Sequence, residues 1–176
     1  MRIANTVQDS LVDGPGLRYV VFVQGCSRNC PGCHNPETHD PAGGREVSVE
    51  ELIAEMLQNP LCEGLTISGG EPFDQANECM ELARAAREAG KNVWVYTGYF
   101  WETLLNWTES AKRFLLHIDV LVDGPFADLF KSYELPFRGS RNQWLIDVPE
   151  SLRTGKVVPW EPESWNDLDA FEVPES

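Results

Sequence analysis

Basic residues are scarce: 14 Lys and Arg stand against 28 Asp and Glu, for a formal net charge of −14. Proteins that track a nucleic-acid backbone neutralise its phosphates with clustered cations, so this balance argues against nucleic acid as a partner. An anionic membrane surface is disfavoured for the same reason. Long hydrophobic runs are also missing. The longest, Tyr19 to Val23, is far too short to span a bilayer. Met1 to Thr6 leads into polar residues with no apolar stretch of the export-signal kind. The expectation is a cytoplasmic chain with no membrane partner, in which the five cysteines are free thiols. No internal repeat is visible.

What remains is ordinary globular composition, 42% hydrophobic and 24% charged over 176 residues. That length suits one domain, burying roughly 68–70% of the surface its unfolded chain exposes. Short apolar strands alternate with amphipathic helices. Strands are expected at Arg18–Gln24, Gly64–Ser68, Asn92–Tyr96, Val120–Val122 and Leu145–Val148. The first helix starts at Ser48, with Glu51 completing a capping box, and stops at Pro60. A second, capped by Asp74, runs to Ala89, with Gly90 closing it. Shorter helices are expected near Trp101–Asn106 and Glu109–Leu116.

Strand–helix–strand units of this spacing predict an α/β fold with a parallel sheet and right-handed crossovers. Ligands gather at the carboxyl ends of such strands. Three unusual segments follow strand ends and should converge there: a cysteine loop, a Gly-Gly-Glu turn and Tyr96-Thr97-Gly98. The domain is expected to span 1–148. Residues 149–176 hold four Pro and seven acidic against two basic residues. With Trp160 and Trp165 but no sustained period, they read as an acidic, Pro-rich extension.

The cysteine loop carries the chemistry. Residues 26–46 hold three Pro and three Gly, and Cys26, Cys30 and Cys33 open it in a C-x3-C-x2-C spacing. Three thiolates from one loop can ligate three corners of a cubane iron–sulfur cluster, leaving the fourth iron open, whereas ferredoxin-type clusters take four. Cys79 fits a buried helical stripe and Cys62 a helix exit, so both read as small hydrophobes. A zinc ion is the alternative and needs four ligands. His34 is awkwardly adjacent to Cys33, so His39 is the better fourth donor.

The cysteine spacing after a strand, with a later strand ending in Gly69-Gly70-Glu71, resembles the radical S-adenosylmethionine superfamily. Asp13-Gly14-Pro15-Gly16-Leu17-Arg18 leading into Phe22-Val23-Gln24-Gly25-Cys26 is similar to the glycyl-radical-enzyme activating enzymes. Val93 to Tyr99, Asp119 to Gly124 and Phe137 to Gln143 together resemble their branch that activates anaerobic ribonucleoside-triphosphate reductase. Gly32, where the wider superfamily often has an aromatic residue, is usual in that branch.

The resemblance implies an incomplete parallel (β/α) barrel and a [4Fe-4S] cluster on Cys26, Cys30 and Cys33. It implies S-adenosyl-L-methionine held near Gly32, Cys33, His34, Gly69, Gly70 and Glu71. Thr97 at the next strand end is a further cofactor candidate; as a plain βα turn it has about equal standing. No side-chain acid or base is implied, because the cofactor carries the chemistry. The implied reaction is one-electron cleavage of S-adenosylmethionine to a 5′-deoxyadenosyl radical, which takes hydrogen from a glycine of the reductase. A flavodoxin- or ferredoxin-type protein would supply the electron. Arg138, Arg141, Asn142 and Gln143 concentrate donors in an acidic chain and are candidates for partner binding, with a solvated loop as the bland alternative. Two other functions stay open: a small-molecule radical enzyme of the 7-carboxy-7-deazaguanine synthase kind, and a non-catalytic zinc or iron–sulfur interaction module.

Overall fold

The computed structural model describes residues 1–132 and 135–161. In chain order the strands are β1 (Arg2–Ser10), β2 (Arg18–Val23), β3 (Arg45–Glu46), β4 (Gly64–Gly69), β5 (Asn92–Tyr96), β6 (Val120–Asp123) and β7 (Trp144–Asp147). The helices are α1 (Val49–Met56), α2 (Ala76–Glu88), α3 (Trp101–Leu105), α4 (Glu109–Leu115) and α5 (Val148–Thr154). One seven-stranded sheet runs in the order β3-β1-β2-β4-β5-β6-β7. Its centre, β2-β4-β5-β6, is parallel throughout.

Those central strands read as unbroken apolar runs because both faces are covered. Tyr19, Val21, Leu65, Ile67, Val93, Val95 and Leu121 point to the face packed by Leu52, Met56, Leu82, Ala86 and Phe114 of the helices. Trp94, Val120 and Val122 point the other way, packing with Leu145, Phe137 and Trp160. Helices therefore cover one face. Loops cover the other and leave room for a cavity.

Both edges depart from the all-parallel expectation. β7 is antiparallel to β6. The chain between them has only a 3-10 turn at Asp128–Phe130 among its described residues, with no helix to carry it back across the sheet, so it re-enters from the same end. β1 is antiparallel to β2 and was not foreseen. It is polar and irregular, with register shifts at Ile3/Asn5 and Val7/Ser10, and an edge strand carries little hydrophobic signal.

The helix ends are mostly as expected. Ser48 and Glu51 form the capping box of α1, and Gly90 follows α2 with φ +73°. Asp74 does not cap α2. Pro72–Gln75 forms a 3-10 turn first, and the Asp74 carboxylate accepts from the Ser27 amide at 3.0 Å instead. Among the described residues no helix is long and apolar enough to cross a membrane.

The segment expected as an extension begins inside α5, which Asp147 caps and which buries Val148 and Ser151. Beyond Gly155 the chain lies along β7: the Asp147 amide donates to the Val158 carbonyl at 2.9 Å, and the Trp160 amide to the Leu145 carbonyl at 2.8 Å. The Trp160 ring meets Trp94 edge-on at 4.8 Å. Trp165 lies outside the described residues. Trp160→Ala is expected to destabilise the chain by at least the ~0.5–1.5 kcal/mol that an aromatic pair contributes beyond its buried area. Trp144→Ala, at a side chain 55% exposed, should cost clearly less in the same urea titration.

Candidate active site

The cysteine loop leaves β2 and is pinned along its length. The Gly25 amide donates to the Thr38 carbonyl at 2.8 Å, and the Cys26 amide to the His39 carbonyl at 3.2 Å. The Gln24 side chain holds the Glu37 and Asp40 carbonyls at 3.0 and 2.7 Å. Ser27 is fastened to Asp74 through its amide and hydroxyl, and its Oγ lies 3.1 Å from the Tyr99 hydroxyl. The Arg28 guanidinium stacks over the Tyr99 ring at 4.8 Å. All five cysteines are free; Cys26, Cys30 and Cys33 are half-buried, whereas Cys62 and Cys79 are buried. Burial is the main influence raising the Cys26 and Cys30 thiols above their ordinary value. Thiolates there need a bound cation to stabilise them.

The Gly-Gly-Glu turn abuts the root of this loop. Gly69 has φ +95°, and a Cβ there would lie 2.7 Å from the Val23 amide nitrogen. A Cβ on Gly70 would collide with the Gly25 carbonyl oxygen. Gly70 and Glu71 donate their amides to the Val23 and Gly25 carbonyls at 2.8 and 2.9 Å. Glycine is needed at 70 by this backbone contact, so a substitution there displaces the residue before Cys26.

Glu71 and Thr97, both expected cofactor residues, have side chains that bond to each other. The fully buried Glu71 carboxylate accepts from the Phe73 amide at 3.1 Å, the Thr97 hydroxyl at 2.8 Å and the Gly98 amide at 2.8 Å. It ties the β4 end to the β5 end. Burial is the largest influence on its carboxyl and pushes it from 4.5 up to about 7, against those three donors, which favour the anion. Asp123 does the equivalent one strand over, accepting from the Trp101 and Trp144 amides at 3.0 and 3.2 Å.

Cys26, Cys30, Cys33, His34, Gly69, Gly70, Glu71 and Thr97 line one cavity of about 920 Å³, near the upper end of the roughly 300–1,000 Å³ of small-molecule sites. Gly32 is not on its wall; it makes the turn before Cys33 with φ +72°. Of the four partner candidates, Arg138 and Gln143 line the cavity and Arg141 and Asn142 do not. Gln143 braces its own loop, accepting from the Gly139 and Ser140 amides and donating to the Gly124 carbonyl at 3.0 Å. The Asn142 side chain donates to the Pro125 carbonyl at 2.8 Å.

Two buried polar atoms on this wall, His39 Nε2 and Arg138 Nε, have no hydrogen-bond partner within the protein. Among the described residues no three His, Cys, Asp or Glu side chains converge on a point that would hold a single metal ion. A cubane takes each thiolate on a different iron, so the three separate thiols suit it.

The sequence assigned no site role to Val12, Asp13 or Arg28, all of which line the cavity. For Asp13 a signal lay in the Asp13-to-Arg18 segment. Arg18 is fully buried. Its Nε donates to the Thr66 hydroxyl at 2.7 Å, which donates to the Asp13 carbonyl at 2.7 Å, while its NH1 holds the Pro15 carbonyl at 2.9 Å. Burial pulls this guanidinium down to about 10.

Residues 12–146 match the family described as "4Fe-4S single cluster domain". The chain belongs to that class. It is 36% identical over 141 residues to the anaerobic ribonucleoside-triphosphate reductase-activating protein of Vibrio cholerae, covering 76% of this chain and 89% of that protein. The protein of the same name from Enterobacteria phage T4 is 34% identical over 140 residues, covering 76% and 86%. The chain therefore belongs to the family of anaerobic ribonucleoside-triphosphate reductase-activating proteins. The pyruvate formate-lyase-activating enzyme of Clostridium pasteurianum is 35% identical over 127 residues, covering 67% of this chain and 53% of that enzyme.

Because the folded-state carboxyl of Glu71 is raised from 4.5 to about 7, the folded chain binds its proton more tightly than the unfolded chain does. Its stabilising contribution is full below about pH 4.5 and is lost as pH rises through about 7. Chemical denaturation between these limits should show stability falling with pH, with the slope reduced in Glu71→Gln.

Proposed function

We propose that this chain is a glycyl-radical-enzyme activating enzyme, with anaerobic ribonucleoside-triphosphate reductase as its protein substrate. The observation that carries this reading is the placement of the three loop cysteines and the Gly69-Gly70 shelf on one cavity wall. Bound together, a [4Fe-4S] cluster and S-adenosylmethionine supply one-electron cleavage of a C–S bond, giving methionine and a 5′-deoxyadenosyl radical that takes a hydrogen atom from a glycine Cα.

The chain's own residues bind and orient. Cys26, Cys30 and Cys33 hold the cluster. Gly69 and Gly70 let backbone approach the cofactor's amino group, with His34 flanking it. Arg138, whose Nε is buried without a partner and whose NH1 holds the Gln143 carbonyl at 2.9 Å, offers charge to a carboxylate of the cofactor or the docked protein. Glu71 and Asp123 fix the strand ends so that these groups stay in register, and no side chain need move a proton. The helix-free sheet face supports a further reading, that the fold is the incomplete (β/α) barrel of the radical S-adenosylmethionine type. Residues 1–148 then form the catalytic unit. Electrons would come from a flavodoxin- or ferredoxin-type protein of the cytoplasm.

Anaerobic reconstitution should load one [4Fe-4S] cluster and, with reductant, cleave S-adenosylmethionine to methionine and 5′-deoxyadenosine. Cys26→Ala, Cys30→Ala and Cys33→Ala should each abolish both, and Cys62→Ala and Cys79→Ala neither. Gly70→Ala should lose iron as well as cofactor affinity, since its Cβ displaces Gly25. Tightly bound zinc with no iron would overturn the reading in favour of an interaction module.

A further inference from the structure

The cysteine loop carries an aromatic flank that has no role in this scheme. Ser27, Arg28 and Asn29, the turn between the first two cysteines, are exposed. The Arg28 guanidinium lies 4.8 Å over the Tyr99 ring, and Tyr99 meets the Trp107 ring at 4.5 Å. Gly98 makes room for the stack, since a Cβ there would lie 2.8 Å from Arg28 Cγ. The Tyr99 hydroxyl donates to Asp74 at 3.3 Å and lies 3.1 Å from Ser27 Oγ. The ring is thereby fixed against the residue bonded to Cys26.

Trp107 is 39% exposed, and Phe100, next to Tyr99, is 46% exposed. Ser27, Tyr99, Phe100 and Trp107 do not line the cavity, whereas the three loop cysteines do. The flank is therefore the outside of a loop whose inside faces the cavity. Exposed aromatic rings beside an arginine have the composition of interface anchors. So few of them suit the small interfaces of electron-transfer complexes.

What covers the flank follows from its place. The substrate glycine must enter the cavity, where Tyr99 and Trp107 are absent. A protein seated on these rings instead meets the loop from outside, one hydrogen bond and one covalent link from Cys26. A carrier there can pass an electron to the cluster without entering the cavity. The flat, largely apolar edge of a flavin ring matches tryptophan and tyrosine faces.

We propose that Trp107, Tyr99 and Arg28 form the docking surface of a flavodoxin-type electron carrier, and that the electron enters through the Ser27–Cys26 side of the loop. This rests on the cluster reading above. The carrier's anionic flavin hydroquinone loses one electron and becomes the neutral semiquinone. The oxidised cluster gains that electron, and no proton or covalent bond changes hands.

The test uses the full chain reconstituted anaerobically, with iron counted first. Bleaching of the cluster is followed by stopped flow with reduced flavodoxin and, separately, with dithionite, which needs no docking surface. Trp107→Ala should lower the flavodoxin rate constant by about tenfold or more, the scale of a lost interface anchor. Trp107→Phe should lower it less. Both should keep the iron count and the dithionite rate. Leu61→Ala should change neither rate, because this 73% exposed side chain precedes the amino end of β4, whereas Tyr99 follows the carboxyl end of the parallel β5.

Equal flavodoxin rates in the wild type and Trp107→Ala, or a wild type that flavodoxin does not reduce, overturn the proposal. So does equal slowing with both reductants, which makes Trp107 a support of the loop. Slowing confined to reduced ferredoxin assigns the surface to a different carrier and also overturns it. Should Trp107→Ala fail to fold, amide hydrogen exchange of the loaded wild type decides: protection by flavodoxin at 27–29 and 98–107 supports the surface. Protection elsewhere, or none, contradicts it. A wild type that holds no cluster defeats the underlying reading instead, and is seen at the iron count.

Discussion

The site depends on two backbones lying too close for a side chain between them. Gly70 sits against the Gly25 carbonyl, and the amides of Gly70 and Glu71 bond to the Val23 and Gly25 carbonyls. The end of β4 is thereby joined to the start of the cysteine loop. The three-cysteine loop and the Gly69-Gly70 turn become one piece of backbone geometry. A side chain at 70 would push the two apart.

Buried carboxylates extend that junction sideways. Glu71 collects donors from β5's exit at Thr97 and Gly98, and Asp123 collects the amides of Trp101 and Trp144. Each is desolvated, and each is compensated by amide or hydroxyl donors rather than by a cation. Beneath them Arg18 fastens the Asp13–Pro15 segment to β4 through Thr66. Three buried charged groups thus brace the rim and floor of the cavity.

Much of this was legible in the sequence because the physics was local. Apolar runs such as Tyr19–Val23 and Val93–Tyr96 announce central strands, and Ser48 with Glu51 announces a helix start. The cysteine spacing and Gly69-Gly70 announce a ligand site by chemistry. What was not legible depended on distant partners. β1 is polar and becomes a strand only because β2 lies beside it. Asp74 looked like a helix cap, yet Ser27 and Tyr99 compete for its carboxylate. Glu71 and Thr97 line the cavity as cofactor candidates, but the hydrogen bond between them, which ties two strand ends together, was not legible. β7 turns antiparallel because no helix intervenes in the described chain before it, a consequence of the connecting segment rather than of the strand's own residues.

An acidic chain whose cavity is walled by Arg28 and Arg138 suits a substrate that arrives as part of another protein and is oriented by complementary charge. The most direct measurement mixes reconstituted chain, reductant, S-adenosylmethionine and the anaerobic ribonucleoside-triphosphate reductase under strict anoxia, and records the EPR spectrum of the reductase. The account predicts a glycyl-radical doublet on the reductase that is absent when the Cys30→Ala chain is used. A silent reductase, alongside turnover of a small pterin or nucleotide by the chain alone, would contradict it.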